Sequence, residues 1–195
     1  MENRRARVAI LASGRGSNMT ALLDAARDPS YPAEIVLVLS NNPDAPALAT
    51  ATAAGVAAVA IDHRPYRRDR EAHERAMDAA LTEAGVECVC LAGYMRLLTP
   101  YLTGRWSGRM LNIHPSLLPA YPGLHTHERV LEAGETRHGC TVHLVTEVMD
   151  EGPILGQAEV PVLPGDTPEI LAARVLAQEH ALYPAMLAKR IEAID

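Results

Sequence analysis

The chain has 195 residues, 48% of them hydrophobic, with no Phe and a single Trp. That length suits one domain, residues 1–195, around a core of Leu, Val, Ile and Ala. A net charge of −6 argues against a general nucleic-acid or membrane-surface binder, so an anionic ligand must be met by local arginines and backbone amides.

The basic start, Met1 to Arg7, leads into only five apolar residues, 8–12, too few for a secretory signal. The longest nearly apolar stretch, 53–61, falls far short of a membrane span, and a cytoplasmic protein is expected. Residues 8–12 read as a first strand. Ser13-Gly-Arg-Gly-Ser-Asn18 then opens a helix over 17–27. Glycines let the backbone turn tightly, and amides at a helix start face an anion. The loop lacks the Gly-Lys-Ser/Thr of a P-loop, and Met19 stands where a dinucleotide fingerprint needs its third Gly. What remains is a site for a small phosphate at Gly16, Ser17 and Asn18, with the last two adding side-chain donors.

Further strands are expected at 34–40, 57–61 and 86–92, separated by helices over 45–54 and 68–84. Near-continuous apolar strands between helices mean a parallel sheet covered on both faces, a three-layer α/β fold. Cys88, Cys90 and Cys140 cannot all pair, and buried thiols are the simplest account. A fifth strand, 110–113, runs into Asn112-Ile-His114-Pro115. Residues two apart on extended chain point to one side, and Pro115 biases His114 away from helical geometry. An amide N–H beside an imidazole can stabilise charge on oxygen and move a proton. In open α/β sheets, ligand chemistry sits at the carboxyl ends of strands, where this pair falls.

Beyond it, 115–123 reads as a proline-rich loop, 125–133 as a short helix, and 140–146 and 154–162 as antiparallel strands. Thr167-Pro168 opens a helix to about residue 191, with Leu171, Val175, Leu182 and Met186 on an apolar stripe. Glu179 falls on that stripe, and a carboxylate there needs a partner: an arginine, or a ligand such as a sugar diol. Asp150 lies in the acidic, glycine-containing turn after 140–146. Beside His114 it would favour the imidazolium.

Six motifs occur in one order: SGRGSN, LAGYMRLL, LNIHPSLLP-x-YPGLHT, HG-x-TVH, the MDEGP turn and Gln178-Glu-His-x-Leu-Tyr-Pro184. Together they resemble the phosphoribosylglycinamide formyltransferases, folate-dependent enzymes of purine synthesis, from about residue 7 to 190. The resemblance implies a Rossmann-like formyltransferase fold. It implies formyl transfer from 10-formyltetrahydrofolate to the amine of N1-(5-phosphoribosyl)glycinamide, with no metal and with small-molecule partners only. It assigns catalysis to Asn112, His114 and Asp150. Acceptor binding falls to Gly16, Ser17, Asn18 and Glu179. Folate contacts fall to Arg70, Met95, Arg96, Leu97, Leu98 and Asn112. Tyr94 and Leu144 stand where family members frequently carry Phe.

Three rivals are weaker. A tRNA-directed sister enzyme is expected to carry a basic extension, and a formyltetrahydrofolate deformylase an added N-terminal domain. A metal hydrolase would use His125 and His127, but no H-E-x-x-H spacing accompanies them. Both a monomer and a homodimer are compatible with the sequence.

Overall fold

The computed structural model describes residues 4–194. Seven strands form one sheet in the order β3-β2-β1-β4-β5-β6-β7. The first five are β1 (Ala6–Leu11), β2 (Ala33–Ser40), β3 (Ala57–Ala60), β4 (Cys88–Leu91) and β5 (Met110–His114). They pair parallel to one another. Strands β6 (Arg137–Leu144) and β7 (Ile154–Pro161) add antiparallel to that edge. The chain winds outward from β1 to β3 and then returns to lay β4 on the other side of β1. That reversal opens a crevice at the carboxyl ends of β1 and β4, the usual ligand position in such sheets.

Helices α1 (Ser17–Ala25), α2 (Pro46–Ala53), α3 (Arg70–Glu83), α4 (Pro100–Arg105), α5 (Thr126–Glu132) and α6 (Pro168–Glu192) cover the sheet. One face packs Met19, Leu22 and Leu23 of α1 with Tyr183, Leu187 and Ile191 of α6 against Val8, Ile10 and Val38. The other face packs Met77, Leu81, Leu102 and Trp106 of α3, α4 and the residue after α4 against Ala9, Leu11 and Leu39. Alternate residues of β1 thus feed opposite faces, which is why its sequence is apolar throughout. Cys88, Cys90 and Cys140 are buried free thiols. The Tyr183 hydroxyl lies 2.9 and 3.0 Å from the Leu91 and Leu111 carbonyls, tying α6 to the adjacent strands β4 and β5. No described helix is long and apolar enough to cross a membrane.

The expected strands and long helices are present, with shifted ends. Strand β6 begins three residues earlier than expected and stops at Leu144. Helix α4 and a single 3-10 turn at Arg64–Tyr66 escaped the periodicity reading. Thr99-Pro100 carries the same start signal as Thr167-Pro168, but six residues are too short to display a period of 3.6. Tertiary bonds hold α4 in place. Glu74 of α3, buried, accepts from the Thr99 N–H and hydroxyl, and Asp78 accepts from Trp106 Nε1 at 2.9 Å.

Candidate active site

Asn112 and His114 project from one side of β5, and the antiparallel register sets His143 opposite Asn112 and Thr141 opposite His114. The His114 ring is buried. Its Nε2 lies 3.0 Å from the Tyr121 carbonyl and its Nδ1 3.5 Å from Asp150 Oδ2. Two acceptors therefore face the two ring nitrogens, an arrangement suited to a proton on each. Asp150 is held in turn by the Gly123 N–H at 2.9 Å.

Local backbone chemistry brings Asp150 there. Asp150 has φ 59°, in the left-handed region that Asp tolerates better than most side chains. Two residues on, a Cβ at Gly152 would come within 1.7 Å of the Leu144 carbonyl oxygen, so only glycine lets the turn fold back on β6. The proline-rich loop 115–123 is equally fixed. Buried Thr141 donates to the Ser116 carbonyl at 2.7 Å and accepts from the Leu118 N–H at 3.0 Å and Gln157 Nε2 at 2.9 Å. Ser116 donates to the Ala120 carbonyl at 2.7 Å, and Thr126 to the Pro115 carbonyl at 2.7 Å. These bonds aim the Tyr121 carbonyl at His114.

His143 was not singled out from the sequence. Its Nε2 lies 3.2 Å from Asn112 Nδ2 and 3.9 Å from Asp150 Oδ1, and its Nδ1 3.0 Å from the Leu144 carbonyl. The sequence signal that could have found it is the last residue of HG-x-TVH, but only with the β5–β6 register in hand.

The loop after β1 occupies the crevice. Gly16, at φ 66°, is the residue before the first turn of α1, and its missing Cβ would stand 3.1 Å from Met19 Cβ. The first-turn amides of Ser17, Asn18 and Met19 have no partner within the helix and point out of its N-terminus. The Asn18 side chain departs from the expected arrangement. Its Nδ2 donates to Glu179 Oε2 at 2.7 Å, leaving the backbone N–H as its donor toward the loop. Glu179 is buried on α6 as expected, with this amide instead of an arginine as its partner. Burial pushes the Glu179 carboxyl above its ordinary pKa, against the lowering influence of the Asn18 bond and of His180 and His114. Asn18 Oδ1 is buried without a hydrogen-bond partner.

The segment after β4 is tied to that loop. Ser13 Oγ accepts from the Met95 N–H at 2.8 Å and donates to Asn41 Oδ1 at 2.6 Å. Met95 and Leu97, two residues apart, are 69% and 59% exposed, whereas Leu98 packs on the core. Arg70 begins α3 and reaches the Leu97 carbonyl at 3.4 Å, so it lies next to this segment, as does Arg96 by sequence. Leu124 and Met149, also exposed, flank the hydrogen-bonded Gly123 and Asp150.

His125 and His127 do not act together. His125 is exposed and faces Glu128 at 3.8 Å, whereas His127 Nδ1 meets buried His138 Nε2 at 3.0 Å. Burial holds His138 down to about 4 and also lowers His127, which suits a neutral pair. Among the described residues no three His, Cys, Asp or Glu side chains are grouped to hold a metal ion.

Comparison with known proteins gives one consistent picture. The formyl transferase family profile matches residues 6–187. The phosphoribosylglycinamide formyltransferase of Escherichia coli (strain K12) is 43% identical over 180 residues, covering 92% of this chain and 84% of that protein. The trifunctional purine biosynthetic protein adenosine-3 of Bos taurus is 47% identical over 187 residues, 96% of this chain. The chain spans only 18% of that longer protein. A crystal structure of phosphoribosylglycinamide formyltransferase from Brucella melitensis superposes with a TM-score of 0.92 at 56% identity, covering 96% of each chain.

Proposed function

Because this chain belongs to the formyl transferase family, we propose that it moves a formyl group from 10-formyltetrahydrofolate to the amine of N1-(5-phosphoribosyl)glycinamide, in purine (IMP) synthesis. The products are the formylated ribonucleotide and tetrahydrofolate. The observation that carries the reading is the convergence of Asn112, His114 and Asp150, with Nδ1 of the imidazole 3.5 Å from the carboxylate.

In this reading the acceptor's phosphate lies on the amides of Ser17 and Asn18, with Gly16 leaving room for it. Glu179 accepts hydrogen bonds from the ribose diol. The folate heterocycle and its tail lie along Met95, Arg96, Leu97 and Leu98, with Arg70 meeting a carboxylate of the tail. The neutral amine attacks the formyl carbon, and charge grows on the formyl oxygen. Asn112 Nδ2 and the His114 imidazolium donate to that oxygen. The separation from Nδ1 to Asp150 is long for a hydrogen bond, so this N–H can turn to the substrate oxygen as the charge develops. Asp150 stabilises the imidazolium meanwhile. The tetrahedral species collapses by breaking the bond to N10. The proton lost from the attacking amine reaches N10 through a bridging water, so no metal is needed to activate either partner.

The test is an omission assay. Pure protein with 10-formyltetrahydrofolate and N1-(5-phosphoribosyl)glycinamide should form tetrahydrofolate and formylated acceptor in equal amounts, and neither when the acceptor is left out. Tetrahydrofolate and formate appearing without the acceptor would replace transfer with deformylation.

A further inference from the structure

We infer that His143 is a positioning residue whose neutral ring fixes the amide of Asn112 with one N–H free for the reacting oxygen. The inference rests on the donor role proposed for Asn112. It starts from the Leu144 carbonyl, which can only accept and lies 3.0 Å from His143 Nδ1. That nitrogen therefore carries the ring proton, and a neutral ring then presents a lone pair at Nε2. The group facing Nε2 at 3.2 Å has to be a donor, which assigns Nδ2 of Asn112 to that side and turns its Oδ1 away. An amide nitrogen has two hydrogens. One is used by His143; the other remains for the formyl oxygen.

The surroundings favour the neutral ring. His143 is 2% exposed, and burial pushes its pKa below the ordinary value, against the Leu144 bond and the Asp150 carboxylate. The charged groups that face the ring are Asp150, in the turn after β6, and His114 on β5, whose positive charge also disfavours a second imidazolium. A protonated His143 would point Nε2–H at Asp150 Oδ1, now 3.9 Å away, and compete with His114 for the carboxylate. It would also turn the Asn112 amide round, presenting oxygen where the developing charge needs a donor. One histidine of this cluster works charged and the other neutral. Each sets one nitrogen on a backbone carbonyl, but the second nitrogen faces the Asp150 carboxylate in His114 and the Asn112 amide in His143.

The test is a double-mutant cycle with the full chain. His143→Phe fills the space without an acceptor, and kcat should fall ~10–100-fold, with the KM of both substrates changed by less than about twofold. His143→Gln restores an acceptor near the Nε2 position and should recover most of kcat. In an Asn112→Ala background His143→Phe should cost almost nothing further, because the group it positions is gone. An equal loss in both backgrounds overturns the inference while leaving the proposed reaction standing. Wild-type turnover in Asn112→Ala overturns both the inference and the donor role proposed for Asn112. Should His143→Phe not fold, nitrogen-15 spectra of the unaltered protein at neutral pH decide. A ring protonated at Nδ1 alone supports the inference; one protonated at Nε2, or at both nitrogens, ends it.

Discussion

On the β1 side of the crevice the groups proposed to meet ligand are mainly the α1 amides and the exposed side chains after β4, together with Glu179. On the β5–β6 side they are buried or half-buried side chains, each held by at least one hydrogen bond. The contrast follows from strand direction. A parallel strand ends in a loop leading to a helix, and a helix start offers amides whatever its side chains are. An antiparallel pair instead puts side chains of two strands directly opposite each other, so His143 can meet Asn112 and Thr141 can brace the loop beside His114. In the proposed reading, phosphate binding therefore rests on backbone geometry, and chemistry on a seam where side chains orient one another.

The largest effects should come from the seam. His114→Ala and Asp150→Asn should each lower kcat by at least ~100-fold, with an unchanged circular-dichroism melting profile. Near wild-type turnover in both would remove the seam as the site of chemistry. A combined variant slower by much less than the product of the two single losses would show that the pair acts as one unit.

Next comes the loop. Gly16→Val puts a β-branched side chain at φ 66° with its Cβ 3.1 Å from Met19 Cβ, and this backbone strain is of order 1–3 kcal/mol. Acceptor affinity, measured by calorimetry, should fall ~10–100-fold, while folate affinity stays within about twofold, as expected when a pocket is blocked locally. Equal weakening of both ligands would break the division of labour between the two sides.

The sequence made parts of this contrast legible and hid others. The parallel strands announce themselves because both their faces are buried, and Asn112 and His114 because a strand places i and i+2 together beside Pro115. Asp150 came from the resemblance as much as from its own turn. Long-range partnerships stayed hidden. Asn18 and Glu179 are 161 residues apart, and nothing local to either shows that the Asn18 side chain serves the carboxylate more than the loop. His143 needed a register that two alternating strands alone do not supply. Helix α4 depends on Glu74 and Asp78, which belong to a different helix.

Glu179 gives a smaller effect with opposite signs for stability and binding. Its raised pKa means that the folded state holds this proton more tightly than the unfolded chain. The associated stabilisation is present at low pH and is lost as pH rises through the folded pKa. At neutral pH the buried carboxylate is therefore a cost to the fold. Glu179→Gln removes it and should raise Tm by about 2–4 °C, the shift that ~1 kcal/mol gives a chain of this size. The gain should shrink as pH falls through the raised folded pKa toward the ordinary carboxylate value of 4.5, and stay small below it. Acceptor KM should rise about tenfold, since hydrogen bonds to a charged group are worth ~1.5–3 kcal/mol. A lower Tm at pH 7 would mean that the carboxylate is held mainly for structure.

The smallest effect belongs to the exposed rim. Met95 is 69% exposed, and its side chain contributes little core burial that truncation could remove. Covering such a side chain with a ligand removes part of its surface from water, out of the ~1.5–3 kcal/mol that full burial of a methionine brings. If the folate lies there, about 1 kcal/mol is lost in Met95→Ala, and folate KM rises roughly three- to fivefold. Acceptor KM, kcat and Tm should stay where they were. A fall in kcat comparable to the rise in KM would instead tie Met95 to the chemistry through its N–H bond to Ser13, and the boundary between a binding side and a reacting side would have to move.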